Sequence, residues 1–183
     1  FISGAFAQCV DPNAPPPLPG FLLPLACGTS TSITQGNNSP YSHNGLAAYA
    51  FDFGIPRHTP LVAIADGTVI ATSDVVQPGD PCWNGGGEEC ANTVNYVLVQ
   101  HADGTASLYM HLDAPVVNVG DAVARGQQVG WSGGTGWSTG PHAHLQRQQL
   151  CGSWWCQSVP TTFTDFNDAA PNTGDAVTSQ NCP

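Results

Sequence analysis

The sequence predicts a mainly antiparallel β protein with long loops gathered at one end. Three observations carry this reading. Charged residues make up 9% of the 183 positions, against about 25% in typical domains. Glycine and proline are abundant, at 21 and 16 residues. Short runs of β-branched and aromatic residues alternate with turn signals, and no stretch has a helical period. Such a chain holds itself with turns, strands and cross-links rather than with ion-paired helices. The length fits one domain that can bury a core, and a hydrophobic content of 41% sets it apart from disordered chains.

Taken in order, residues 1–40 are rich in Pro, Gly, Ser, Thr and Asn, with four prolines between Pro15 and Pro19, and read as an irregular N-terminal arm. The core is expected over residues 41–148, with strands at 49–53, 61–65, 68–72, 93–100, 105–112, 114–119 and 142–148. His101-Ala102-Asp103-Gly104 reads as a hairpin turn, because Asp-Gly tolerates positive φ. Residues 120–130 have the hydrophobic-and-turn rhythm of small β-barrel folds. Residues 149–183 form a tail bearing Cys and Trp, expected to pack along the sheet.

Composition also narrows the chemistry. Thirteen acidic and three basic residues give a formal charge of −10, and the three basic residues are all arginines. With no lysine, Schiff-base chemistry and a P-loop lysine are excluded, and a phosphate-neutralising nucleic-acid surface is not expected. Glu88 and Glu89 are the only glutamates. Adjacent in one loop, they leave no Glu for an H-E-x-x-H helix or for a carboxylate pair spanning a cleft. Acid–base work falls to aspartate and six histidines. No run of 18 apolar residues exists, so no membrane span is expected.

Seven cysteines point to an oxidising compartment, extracellular or periplasmic. Cys82 and Cys90 bracket one loop, Cys151 and Cys156 another, and each pair fits a small disulfide ring. Neither pair has the C-x₂-C spacing of zinc ribbons. Cys9, Cys27 and Cys182 remain, which leaves one thiol unpaired or paired outside the chain. Ala5-Phe6-Ala7 followed by Gln8 has the shape of a signal-peptidase site, but the start is read as the apolar beginning of a processed chain.

The sharpest local feature is His142-Ala143-His144. On a strand, positions i and i+2 share a face, so both imidazoles project together. His111, in the strand-like run Leu108-Tyr109-Met110-His111-Leu112, can bring a third histidine from another strand. Upstream, His43 and Asp52 lie nine positions apart. Asp52 sits between Phe51 and Phe53, and a carboxylate in apolar surroundings is costly without a partner. A metal ion is the economical partner. His101, in the hairpin turn, reads as structural or solvent-facing, and His58 beside Arg57 as a loop histidine.

Together these segments resemble the lysostaphin-type zinc metallopeptidases, bacterial peptidoglycan endopeptidases that include secreted members. The matching pieces are His43 with Tyr49-Ala50-Phe51-Asp52-Phe53, then Thr59 to Ala63 leading to Asp66-Gly67-Thr68-Val69, then Tyr109-Met110-His111-Leu112. The series closes on Gly130 to Ser132 and Ser138-Thr139-Gly140-Pro141-His142-Ala143-His144-Leu145. The resemblance covers about residues 41–148. It departs from the common pattern in a longer His43-to-Asp52 spacing, in Ala143 where Leu is usual, and in His58 where Gly is common.

The resemblance implies an antiparallel β catalytic domain whose long loops form a groove. It implies that His43, Asp52 and His144 bind one Zn²⁺ per chain, with room left for water, and that His142 and His111 are the catalytic pair. Independent chemistry agrees with that allotment. A catalytic zinc takes three protein ligands and an open position, and lowers the pKa of its water to about 7. With no suitable glutamate, removing the water proton and assisting the leaving amine both fall to histidine. The division of labour between His111 and His142 stays open.

The expected activity is therefore a zinc metalloendopeptidase acting on peptidoglycan cross-links, as a monomer, with Gly-Gly bonds in glycine-rich bridges as first choice and D-amino-acid-containing stem peptides as the other class. Some of the five tryptophans are candidates for the groove wall. The alternative is a non-catalytic peptidoglycan-binding or activator module of the same fold, against which stand the five retained His and Asp positions. A serine hydrolase fits less well. Gly130-Trp131-Ser132-Gly133-Gly134 matches G-x-S-x-G, yet no acid lies between Ser132 and the downstream histidines. A bacterial wall is itself commonly anionic, so the charge of −10 should oppose approach and added salt should screen that repulsion. Lysis of whole cells is expected to rise with moderate salt while cleavage of a small neutral peptide does not, as parallel salt titrations would measure.

Overall fold

In the computed structural model, residues 20–183 are described. The Ala5-Phe6-Ala7 motif, Cys9 and the proline run ending at Pro19 lie outside them. The β-rich runs form eleven strands: β1 (Ser30–Gln35), β2 (Phe51–Phe53), β3 (Pro60–Val62), β4 (Gly67–Ser73), β5 (Tyr96–Gln100), β6 (Ala106–Met110), β7 (Leu112–Pro115), β8 (Ala122–Val123), β9 (Gln128–Ser132), β10 (Ala143–Gln148) and β11 (Ala176–Thr178). Eight of them make one sheet in the order β11-β1-β2-β10-β6-β5-β4-β8, and β3-β9-β7 make a second. Neighbouring strands run antiparallel. Helical structure among the described residues is confined to three short 3₁₀ turns, and no helix is long and apolar enough to cross a membrane.

Alternation along the central strands sorts residues between two faces. Val97 and Val99 of β5, Tyr109 of β6 and Leu145 of β10 enter the main core with Phe51, Phe53, Leu61, Ile64 and Val129. The Tyr109 hydroxyl accepts the Ile64 N–H at 2.9 Å inside that core. On the opposite face, Leu98, Leu108 and Met110 form a smaller cluster against Tyr96, Trp154 and Trp155. This second face also carries His144, Gln146 and Gln148, which alternate with Leu145 and Arg147 along β10.

Three expectations need correction. The arm over residues 1–40 is not irregular where it is described. Leu22, Leu23 and Leu25 are fully buried, and β1 lies between β2 and β11 in the large sheet. Its Ser-Thr-Ser-Ile-Thr-Gln sequence buries a single apolar residue, Ile33, too little alternation to announce a strand. The expected strand over 105–112 is two strands, broken at His111, whose φ is +62°. The strand expected over 114–119 is replaced by β7, which ends at Pro115.

The tail packs on the core through specific bonds. β11 pairs with β1, and the Asn181 amide donates to the Leu23 carbonyl at 2.9 Å and the Ala63 carbonyl at 3.0 Å. The two expected disulfide rings are present, Cys82–Cys90 and Cys151–Cys156. A third bridge joins Cys27 to Cys182 across 155 positions. Closing so long a loop strips the unfolded chain of much of its entropy. Cys27→Ser with Cys182→Ser is expected to lower the free energy of unfolding by about 3–5 kcal/mol, read as a shifted urea midpoint.

Candidate active site

The site begins with cross-strand register. Asp52 of β2 stands directly opposite His144 of β10, so a carboxylate and an imidazole on the same face meet without any loop adjusting. The Asp52 Oδ1 lies 3.0 Å from His144 Nδ1. His43 arrives from a loop before the first 3₁₀ turn and is fully buried. Its Nε2 lies 3.2 Å from the same Oδ1. One donor atom from each of the three residues falls within 4.8 Å of the others.

The hydrogen-bond pattern says what this cluster lacks. His43 Nδ1 lies 3.0 Å from the Gly36 carbonyl oxygen, which can only accept, so the proton sits on Nδ1 and Nε2 presents a lone pair. That Nε2 is buried without a hydrogen-bond partner, facing a carboxylate oxygen that also has no proton. Two lone pairs aimed at one another in a buried space call for a cation between them. Two imidazole nitrogens and a carboxylate oxygen suit a borderline divalent metal such as zinc.

Burial alone would raise the Asp52 pKa. The close approach of the His144, His43 and His142 rings outweighs it and holds the carboxyl far below its usual range. Burial pushes the His144 pKa down, against the pull of Asp52. Both groups are thereby held in the forms that ligate metal, carboxylate and neutral imidazole.

His111 and His142 stand beside this cluster. Their ring centroids are 4.6 Å apart, and His111 lies 6.0 Å from the His144 ring. His142 Nε2 is 3.7 Å from Asp52 Oδ1. His111 Nδ1 donates to the Thr135 carbonyl at 2.7 Å and His142 Nδ1 to the Gly140 carbonyl at 2.9 Å, so in each ring Nε2 is the free nitrogen. Burial, reinforced by His142 and His144, lowers the His111 pKa to about 3. It is a neutral imidazole at neutral pH.

The loop that supplies these carbonyls is braced from below. The Asp113 side chain is buried and paired with Arg57, and His58, itself at φ +60°, lies 3.2 Å from its other oxygen. Arg57 also donates to the Trp83 carbonyl and to Asn84 Oδ1, and lies over the Trp83 ring at 4.5 Å. The Cys82–Cys90 loop is thus clamped to the glycine loop, where the Gly136 N–H bonds the Cys82 carbonyl at 2.9 Å. A Cβ at Gly133 would strike the Asp113 backbone and carboxyl, so glycine is required there.

The model for peptidase family M23 matches residues 47–153. The chain belongs to this family. Among M23-related proteins, the glycyl-glycine endopeptidase ALE-1 of Staphylococcus capitis is 39% identical over 110 residues, covering 59% of this chain and 26% of that one. The peptidoglycan DD-endopeptidase ShyA of Vibrio cholerae is 36% identical over 104 residues, covering 57% and 20%. The match therefore takes in about a quarter or less of the length of these relatives. The solved structure of lysostaphin from Staphylococcus simulans superposes with a TM-score of 0.50 at 34% identity, covering 68% of this chain and 45% of that one. His43 falls just upstream of the family match, and Asp52, His111, His142 and His144 fall within it.

The five residues singled out from sequence are thus brought to one place. The other two histidines are elsewhere. His101 is buried and structural, bonded to the Asp66 carbonyl at 2.8 Å and to Ser107 Oγ at 2.6 Å, and His58 is an exposed loop residue. Ser132 is fully buried, its hydroxyl donating to the Pro56 carbonyl at 2.6 Å and accepting the Thr59 N–H at 2.9 Å. It is a structural hydroxyl. Of the tryptophans, Trp155 lies 5.9 Å from the His144 ring and Trp137 is exposed in the loop before His142. Sequence reading missed Gln146 and Gln148, which the alternation from His144 places on the same face.

Proposed function

We propose that this chain is a zinc metalloendopeptidase that hydrolyses peptide bonds in bacterial peptidoglycan cross-links, with Gly-Gly bonds in glycine-rich bridges as its first substrate class. One observation carries the reading: the lone pairs of His43, Asp52 and His144 converge within 4.8 Å, with two further histidines at their side. His43 Nε2, Asp52 Oδ1 and His144 Nδ1 would hold one zinc ion. When bound, zinc would act as a Lewis acid and make water acidic enough to supply the nucleophile near neutral pH.

The remaining work belongs to the chain. His111 and His142 each have Nδ1 committed to a backbone carbonyl, so Nε2 of each takes up or delivers a proton at a fixed position. One ring receives the proton of the attacking water, and a ring carrying a proton hands it to the leaving amine. The carbonyls that fix the rings, those of Thr135 and Gly140, belong to the loop that leads into β10.

The substrate class draws support from the relatives, one bearing the name of a glycyl-glycine endopeptidase and another that of a DD-endopeptidase. Three disulfides agree with action outside the cytoplasm. A non-catalytic wall-binding role finds no support, since all five candidate metal and catalytic side chains are in place. His111→Ala protein is expected to retain one zinc per chain by elemental analysis while losing about 10²–10⁴ in rate; loss of the metal would show that ligands and catalysts are wrongly divided. Pentaglycine-bridged and directly cross-linked peptidoglycan, digested side by side, should yield Gly-Gly scission fragments by mass analysis from the first and far slower release from the second.

A further inference from the structure

The metal ligand His144 is tied to the Cys151–Cys156 loop by an unbroken series of buried amides. His144 Nε2 lies 3.3 Å from Gln146 Oε1. The Gln146 amide nitrogen donates to Gln148 Oε1 at 2.7 Å and to the Cys156 carbonyl at 3.2 Å. Gln148 Oε1 also accepts the Cys156 N–H at 3.2 Å, and the Gln148 amide nitrogen donates to the Trp154 carbonyl at 2.9 Å. Both glutamines are fully buried, so water cannot substitute for any of these partners.

The orientation of every amide in this series follows from the loop backbone. Carbonyl oxygens only accept. The Trp154 carbonyl therefore faces the Gln148 nitrogen, which turns Gln148 Oε1 toward the Cys156 N–H. The Cys156 carbonyl and Gln148 Oε1 together claim the Gln146 nitrogen. Gln146 Oε1 is left facing His144, and an acceptor at that point holds the imidazole proton on Nε2. The lone pair then falls on Nδ1, the nitrogen 3.0 Å from Asp52.

We infer that Gln146 is a positioning residue for metal binding, fixing the tautomer and ring orientation of His144, with Gln148 and the disulfide-closed 151–156 loop fixing Gln146 in turn. The inference rests on the reading of His43, Asp52 and His144 as the metal site. A hydrogen bond to the distal nitrogen of a ligating histidine raises its basicity and holds it in register, and losing such a partner costs about 10–100-fold in metal affinity. The loop lies outside the metal cluster, yet its backbone decides which nitrogen the cluster is offered.

Two measurements test this. Zinc affinity is read by chelator competition for wild type and for Gln146→Leu, whose apolar side chain fills the space without an acceptor. A Kd weakened by about 10–100-fold in a variant of wild-type circular dichroism is expected, and an unchanged Kd would overturn the inference. Independently, ¹⁵N–¹H correlation of histidine in zinc-loaded wild type should show Nδ1 of His144 on the metal and a slowly exchanging Nε2 proton, and in Gln146→Leu that proton should exchange faster. Metal on Nε2, or a freely exchanging proton in wild type, would sink the proposal even if the variant does not fold. Wild type that binds no zinc would sink the metal reading itself, a separate outcome.

Discussion

Everything at this site depends on where four imidazole protons sit, and each is decided by an acceptor that cannot move. His43 gives its Nδ1 proton to Gly36, His111 to Thr135 and His142 to Gly140, while His144 gives its Nε2 proton to Gln146. Three of these acceptors are backbone carbonyls and the fourth is an amide locked by backbone. The free nitrogens therefore point into one shared space before anything binds there. An imidazole free to flip would divide its population between two tautomers, and four such rings would seldom be correct together. The scaffold removes that lottery by building the choice into main-chain geometry.

The sheet supplies the rest by simple alternation. Phe51, Phe53 and Leu145 anchor β2 and β10 in the main core, and that anchoring obliges Asp52 and His144 to project from the other face in register. A slip of one residue would turn Asp52 and His144 into the core and the phenylalanines out of it. The two small disulfide rings then back different sides of the site. Cys82–Cys90 backs the glycine loop through Arg57 and Asp113, and Cys151–Cys156 backs the strand that bears His144. A chain with 9% charged residues has few ion pairs to spend on bracing loops, and covalent rings take that part.

How much of this was legible in the sequence varies with the interaction involved. The strand bearing His144, with His142 just before it, was readable because the two histidines are spaced to share a face and the Ser-Thr-Gly-Pro approach is distinctive. His43 came through its family pattern, although it lies on no strand. β1 was hidden because its pairing is carried by backbone bonds and one apolar side chain. The break at His111 was hidden too, since Leu108 to Leu112 contains no turn residue, and the left-handed φ accompanies tertiary bonds from the His111 ring to the Thr135 carbonyl and from the Leu112 N–H to the Asn95 carbonyl. Gln146 and Gln148 were missed: alternation from His144 places them on the same face, but their partners lie on a loop whose path no pattern in the sequence reveals.

The left-handed backbone at His111 has an evolutionary reading. A side chain other than glycine at φ +62° carries a standing conformational cost, which asparagine and aspartate tolerate better than most and β-branched residues worst. In lineages where selection for catalysis lapses, drift at this position is biased by backbone geometry rather than by charge or size. Glycine and asparagine become the favoured replacements, because they release the strain while the turn that carries the chain from β6 in one sheet to β7 in the other survives. Such a substitution would keep the turn while removing the imidazole that stands beside His142 and His144.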